Sequence, residues 1–167
     1  LILMFLKIFL SSFFLVPIIY CQSYLEKGIS EYNQRHLGCV EDQAKPGSIS
    51  SAIGHFEKAL DKKEDKNEAS LYLLKSYYFK SKFVVKDKKV KKDLLKKGKD
   101  LGLSLVEKFP NSVEYRYWYL VNLGSWAEEY GVFAAAREGV ADQMRYHSKK
   151  IIEIDPYYEN GAGYFLL

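Results

Sequence analysis

The chain has 167 residues, of which 48% are hydrophobic and 28% charged, and its formal net charge is +4. That length predicts one domain with enough apolar side chains for a sizeable core. With only four Pro, eleven Gly and no low-complexity tract, the composition excludes a disordered or fibrous protein.

The first 21 residues differ from the rest of the chain. Lys7 is their only charge, and an apolar stretch from Ile8 to Tyr20 is broken only by two Ser and Pro17. A basic residue followed by about a dozen apolar ones is typical of a secretory signal peptide. A retained membrane anchor is the alternative, since about 20 residues barely span a bilayer. We therefore expect residues 1–21 to be a signal peptide or membrane anchor, and the protein to be exported to the periplasm or cell envelope.

Two cysteines bear on how this segment is processed. Cys21 follows the apolar stretch, where a lipoprotein is acylated, but Tyr20 stands where such a site requires a small residue. Lipidation at Cys21 and cleavage beside it are both open. Cys39 is then left alone, so there is no disulfide framework. His36 precedes it by three residues without two further suitably spaced ligands, and we expect no metal site.

Helical periodicity dominates the remainder, residues 22–167, and predicts an all-α domain that is truncated at its C-terminus, because the chain stops in an apolar run. Capping and helix-breaking residues set the expected bounds. The predicted helices are Tyr24 to Leu37, Ser50 or Ser51 to Leu60 after a loop at 38–51, Asn67 to Phe83, 87–109, Asn111 or Ser112 to Tyr130, 132–154, and one from Tyr157 onward.

A motif in the second of these helices indicates helical repeats. Ala52-x3-Phe56-x2-Ala59 is typical of the second helix of a tetratricopeptide repeat. The small residues let two helices approach, and the Phe fills the gap beside them. Helical-hairpin repeats of this kind stack into an α-solenoid, or superhelix, with a concave surface.

The repeat length follows from the residues at the hairpin ends. Glu64 stands where a Pro is usual, and 46 residues separate Glu64 from Pro110 and Pro110 from Pro156. In the same register Tyr72 matches Trp118. The sequence therefore predicts helix pairs of about 46 residues, longer than the usual ~34.

Residues 113–167, about a third of the chain, carry a more specific pattern. An Asn-x-Gly within an aromatic helix (117–127) is followed by a Gly-Val helix start (131–132) and an Asp-Pro-x-Tyr-x-x-Gly run (155–161). This pattern resembles the T component (TatT family) of tripartite ATP-independent periplasmic (TRAP) transporters. Eukaryotic regulators of microtubule dynamics carry a similar repeat ending.

The resemblance implies a periplasmic, usually lipid-anchored protein of tetratricopeptide-like helices. Such a protein associates with the solute-binding component of the transporter and offers an apolar, pore-like ligand cavity. This chain departs from the family pattern at its lipidation site and at Tyr164, where a basic residue is expected.

Three residues at helical spacing form the first candidate site. Trp118, Asn122 and Trp126 lie on one helical face, where Asn122 could orient a ligand between two indoles. The alternative is that both Trp are core residues and Asn122 bonds to the backbone of a neighbouring helix. A ligand-binding accessory protein predicts a closed apolar cavity lined by these three residues, whereas a scaffold for a partner protein predicts an open groove with the three packed away.

Small residues in the next helix suggest a second place for a ligand. One side of the helix carries only small residues, which are Ala134, Ala135, Ala136 and Gly139. This leaves room for a ligand beside Arg137, which could pair with a carboxylate. Close helix packing and a solvated Arg are the alternative.

Eight Lys against Asp87 and Asp93 give residues 86–99 a local charge of +6. We interpret this run as a solvated helix face, with anionic lipid as the alternative. Nucleic acid is not expected, because the run has no Arg and no interleaved aromatic residue. No catalytic or cofactor motif is found, and the three His lie in different helices.

The sequence thus predicts a binding protein that is not an enzyme. The first hypothesis is an accessory protein of a TRAP transporter, which binds the solute-binding component, a small hydrophobic or carboxylate ligand, or both. The second is a cell-envelope scaffold that holds a partner protein on its concave face without a small ligand. Association with a membrane through the N-terminus, and homo-oligomers, are compatible with both.

Overall fold

The structure is a computed structural model that describes residues 22–167. The signal or anchor segment predicted at 1–21, with Cys21, lies outside the described residues. The described residues form helices joined by turns and loops, which confirms the predicted all-α fold. The helices are α1 (Tyr24–Asn33), α2 (Pro46–Asp61), α3 (Lys66–Phe83), α4 (Lys88–Lys108), α5 (Val113–Tyr130), α6 (Val132–Arg137), α7 (Val140–Ile154) and α8 (Ala162–Phe165), with a 3-10 turn at Tyr158–Asn160.

Polar side chains cap the starts of four helices. Ser23 and Glu26 form a reciprocal capping box at α1. Asp87 accepts from the Val90 amide at α4, and Ser112 accepts from the Tyr115 amide at α5, which confirms Ser112 as the cap. At α3 the predicted cap Asn67 is wrong: Asp65 accepts from the amides of residues 67 and 68 and starts the helix earlier.

The predicted start of α2 after Ser50 or Ser51 is also wrong. The helix begins at Pro46, which occupies the first helical position. Proline suits that position, because its fixed φ is helical and the amide that it lacks would have no partner there. The loop is therefore shorter than the 38–51 predicted, and the added turn buries Ile49 completely.

Two other predicted helices are interrupted by left-handed residues, and a third ends early in a series of turns. The single helix predicted over 132–154 is divided into α6 and α7, because Gly139 adopts φ +63°. The helix predicted from Tyr157 is reduced to the 3-10 turn and α8, since residues 159–161 all have positive φ. The first helix stops at Asn33 rather than Leu37, and turns lead on to Gly38 at φ +72°.

Each helix packs mainly on its neighbour in the chain. Successive helices from α1 to α5 are in contact, and α5 then packs on α7. Contacts also join α1 to α3 and α3 to α5, so these three lie side by side. α1, α3 and α5 consequently form one layer, and α2, α4 and α7 pack against it.

The core has two halves. In the first, Ala52, Phe56 and Ala59 are fully buried, and the ring of Phe56 lies where a side chain at Gly28 would be. The second surrounds α5, with Tyr119, Leu120 and Leu123 almost completely buried. Leu101 packs against both halves and joins them.

Glu64 ties the start of α1 to the turn between α2 and α3. Its carboxylate accepts from the amides of Tyr24 at 3.1 Å and Leu25 at 2.7 Å. A carboxylate there stabilises the positive end of α1. The start of α1 therefore lies at one end of the layered structure. The start of α4 lies at the other, where Lys91 pairs with Glu129 at 3.0 Å.

Candidate functional site

Asn122 lies at the junction of three helices. Its side chain is fully buried, and Nδ2 donates to the carbonyls of Leu74 on α3 (3.2 Å) and Trp118 on α5 (2.9 Å). Its Oδ1 has no hydrogen-bond partner among the described residues and lies against Gly98 on α4, where a Cβ would collide with it. The geometry is that of a helix-packing residue bonded to a neighbouring backbone.

Trp126 lies on the α4 side of α5. It is 3% exposed and stacks on Tyr130 with ring centroids 4.6 Å apart. Lys99 Nζ sits 4.5 Å from its ring centroid and also pairs with Glu138. These contacts hold the indole within the packing of α4 and α5.

Trp118 is more exposed than Asn122 and Trp126, the other two residues of the predicted site. It is half-buried and turns toward α3, with Tyr78 at 6.0 Å and Tyr117 at 5.4 Å between ring centroids. The spacing therefore places the three residues on one helix, but the structure does not bring them around a common space.

A row of half-buried aromatic rings extends across α3 and α5 and on to the 3-10 turn at Tyr158–Asn160. We call Tyr72, Lys75, Tyr117, Trp118 and Tyr158 the aromatic face. Lys75 Nζ lies over two rings, 5.2 Å from the centroid of Tyr72 and 5.7 Å from that of Trp118. Tyr117 continues the row to Tyr158 at 5.5 Å. At the other end Tyr72 meets Tyr32 of α1 at 5.3 Å.

The electrostatics keep the phenols of this face protonated. Burial raises the pKa of Tyr158, and the nearby Glu114 and Glu159 raise it further. The pKa of Tyr117 is also raised, first by burial and then by the charge of Glu159. The face therefore presents hydroxyl donors, ring faces and one ammonium group, a combination that suits a ligand with both apolar and polar groups.

An acidic cavity adjoins this face. It has a volume of about 330 Å³ and lies where the starts of α3 and α5 meet. Tyr115 closes one side, and its hydroxyl donates to the Asn67 carbonyl at 2.9 Å. The lining residues are Asp65, Asn67, Glu68, Leu71, Glu114 and Tyr115.

The small residues after Gly131 do leave room for a second cavity. Its volume is about 370 Å³, and it lies between α6 and α7. Arg137 is exposed at the end of α6 and is not among the lining residues, which are Val132, Ala135, Ala136, Gly139, Val140, Ala141 and Asp142. Asp142 is the ionisable group there, so the cavity is better suited to a neutral apolar group than to a carboxylate.

Sequence reasoning missed a buried cation. Arg116 is 4% exposed, donates to the Pro110 carbonyl and approaches Nδ1 of His147 at 2.6 Å. Arginine has only donors, so Nδ1 must accept and the imidazole is neutral. Burial, followed by the charge of Arg116, lowers the pKa of His147 to about 4. No spacing signal links residues 116 and 147, because only tertiary packing brings them together.

Within 22–167 no three His, Cys, Asp or Glu side chains are grouped to hold a metal ion, and Cys39 is an exposed free thiol. No helix in that range is both long and apolar enough to cross a membrane. Comparison with family models, curated proteins and solved structures gave no match.

Proposed function

We propose that this chain is a non-catalytic accessory protein of the cell envelope that holds a partner protein against its aromatic face. The observation that carries the proposal is the aromatic face, whose half-buried rings lie on α3, on α5 and at Tyr158 in the 3-10 turn. Aromatic side chains that remain partly exposed supply large, rigid contact areas, and they are enriched where proteins bind one another.

Tetratricopeptide-like repeats are the architecture that we propose for the scaffold. In that reading α3 with α4 and α5 with α7 are two hairpins, and their first helices lie side by side. The equivalent positions Tyr72 and Trp118, 46 residues apart, both belong to the aromatic face. A repeat that presents the same side chain from successive hairpins suits an extended ligand.

Export and the identity of the partner rest on the sequence. The apolar segment 1–21 favours export, with or without an anchor at Cys21. The resemblance of residues 113–167 to the TRAP T component makes a TRAP solute-binding component the first partner to test. A small-molecule ligand is the second candidate function, and the cavity between α6 and α7 favours it.

The test titrates a TRAP solute-binding component against the protein and follows Trp fluorescence. A Trp126→Phe background leaves Trp118 as the reporter, because these are the only two Trp. Trp118→Ala removes this reporter, so its affinity is measured by calorimetry. We expect the variant to bind at least about 30-fold more weakly, as for the loss of a central aromatic contact.

Tyr146→Ala is the matched control, since Tyr146 is 56% exposed on α7, away from the aromatic face. It should leave the dissociation constant unchanged. Equal losses in the two variants would contradict the proposed face. Tight binding that neither variant alters would place the partner on a different surface.

A further inference from the structure

Helix α6 is apolar and yet buries none of its residues. Its sequence is Val-Phe-Ala-Ala-Ala-Arg, and Val132 and Phe133 are 81% and 90% exposed. A six-residue helix is too short to be stable on its own, and one side of α6 packs on the second half of the core through the half-buried Ala134 and Ala135. The side with Val132 and Phe133 is left uncovered, and adjacent exposed apolar groups are typical of a surface that another molecule covers.

The same surface contains an apolar hollow beside these two side chains. The cavity of about 370 Å³ between α6 and α7 is lined chiefly by Ala and Val. A phenyl ring needs less space than that, because apolar cavities of about 150 Å³ already bind benzene. The exposed side chain of Phe133 on α6 therefore lies on the same surface as a cavity between α6 and α7 that is large enough to hold such a ring.

Charged residues of opposite sign stand at the margins of this surface. Arg137 ends α6, is exposed and forms no ion pair within residues 22–167. Asp142 lies on α7 at the rim of the cavity, and its 86% exposed side chain pairs with Arg145 at 2.9 Å. A two-fold axis would bring each Arg137 toward the opposite acid, because residue i then meets residue j and j meets i.

We propose that the α6–α7 surface is a self-association site at which two copies of this chain meet around a two-fold axis. Phe133 of each copy enters the cavity of the other, and Arg137 faces the partner's Asp142. We expect a weak dimer with a dissociation constant in the micromolar range or above, because a contact made by one six-residue helix and the start of α7 should bury less than the ~1,200–2,000 Å² of stable interfaces. The inference is independent of the aromatic face, which lies on other helices.

Sedimentation velocity of the full chain, over a concentration series, tests the dimer. We expect reversible dimerisation, and at least a tenfold weakening by Phe133→Asp. Phe165→Asp is the matched control, because Phe165 is 86% exposed on α8. All variants share residues 1–21, so association through that segment would affect them alike. Circular dichroism checks that each variant stays folded.

Charge reversal tests the two-fold arrangement itself. Arg137→Asp and Asp142→Arg should each weaken the dimer, whereas an equimolar mixture of the two variants restores both pairs and should recover it. A mixture that stays monomeric overturns the two-fold contact.

Two further results would overturn self-association altogether. One is equal weakening by Phe133→Asp and Phe165→Asp. The other is a wild-type chain that is monomeric throughout. If that monomer binds the apolar dye 1-aminonaphthalene and Ala136→Leu abolishes the binding, the cavity is a small-molecule site instead.

Discussion

Gly98 is the residue on which the contact between α4 and α5 depends. A methyl group there would overlap the amide of Asn122, which is fixed by two carbonyls and cannot withdraw without losing them. We expect Gly98→Ala to lower the free energy of unfolding by about 1–3 kcal/mol, as overpacking does. Denaturant unfolding measures this change.

Gly54→Ala is the control for helix propensity. Gly54 also lies within a helix, α2, but an added methyl group meets nothing within 4 Å. This substitution should raise stability by about 0.5–1 kcal/mol, because Ala has the higher helix propensity. A similar gain in stability from Gly98→Ala would show that there is room for a methyl group between Gly98 and the amide of Asn122, contrary to the structure.

His147 gives the fold a dependence on pH. Its pKa falls from 6.5 to about 4 on folding, so between these values the unfolded chain binds a proton that the folded chain does not. The contribution of the neutral His147 to the free energy of unfolding is therefore fully present above pH 6.5. It is lost as the pH falls toward 4, by about 3 kcal/mol in total. His147→Gln should remove that part of the slope, and an unchanged slope would contradict the neutral buried imidazole.

The start of α4 combines one favourable charge with two unfavourable ones. Asp87 caps the helix, but the first turn after it contains no acid and has Lys88 and Lys89, both exposed, next to the positive end of the helix dipole. We expect Lys89→Glu to raise the melting temperature by about 1–3 °C at low salt. Lys97→Glu, within the same helix, should change it less. Added salt should remove the difference, since it screens exposed charges.

The sequence identified long helices well and their interruptions poorly. The predicted bounds of α3, α4 and α5 agree with the structure to within about two residues, because capping or helix-breaking residues stand near several of their ends, such as Pro110 after α4, Ser112 before α5 and Gly131 after it. The division at Gly139 was missed, because a glycine within a helical pattern is often tolerated and the pattern does not show that this one adopts a left-handed conformation. Pro46 was read as a loop residue, although proline equally favours the first helical position.

The site was predicted only in part, because periodicity shows which residues share a helix but not which neighbour they meet. Trp118 belongs to the aromatic face, whereas Asn122 and Trp126 contact α3 and α4. The match of Tyr72 with Trp118 in the 46-residue register was the available signal for the aromatic face. Lys75 and Tyr158 could not be added from sequence, since their contacts cross between elements.

Stability should be distributed unevenly over the whole molecule. Helices α4 and α5 surround the second half of the core, whereas α6 buries no residue. We expect amide hydrogen exchange to be fastest in α6 and slowest in α4 and α5, because local opening costs least where little apolar area is lost. Strong protection of α6 in the monomer would contradict this ranking, and protection that appears only at high concentration would follow from self-association.

The two glycines of α4 also determine where this molecule can bend. Gly98 receives Asn122, and Gly102 lies against the Tyr119 backbone, where a Cβ would be 3.0 Å from Cα. Moving α4 along α5 by one residue would bring the side chain of Lys97 or Leu101 to a position where only glycine fits now. The register between the two helices is therefore fixed. Bending is left to Gly131 and Gly139, which have positive φ and open surroundings. We therefore expect bending to occur at the two ends of α6 rather than between α4 and α5, and to require breaking the Lys99–Glu138 ion pair and the contacts of Ala134 and Ala135 with the core.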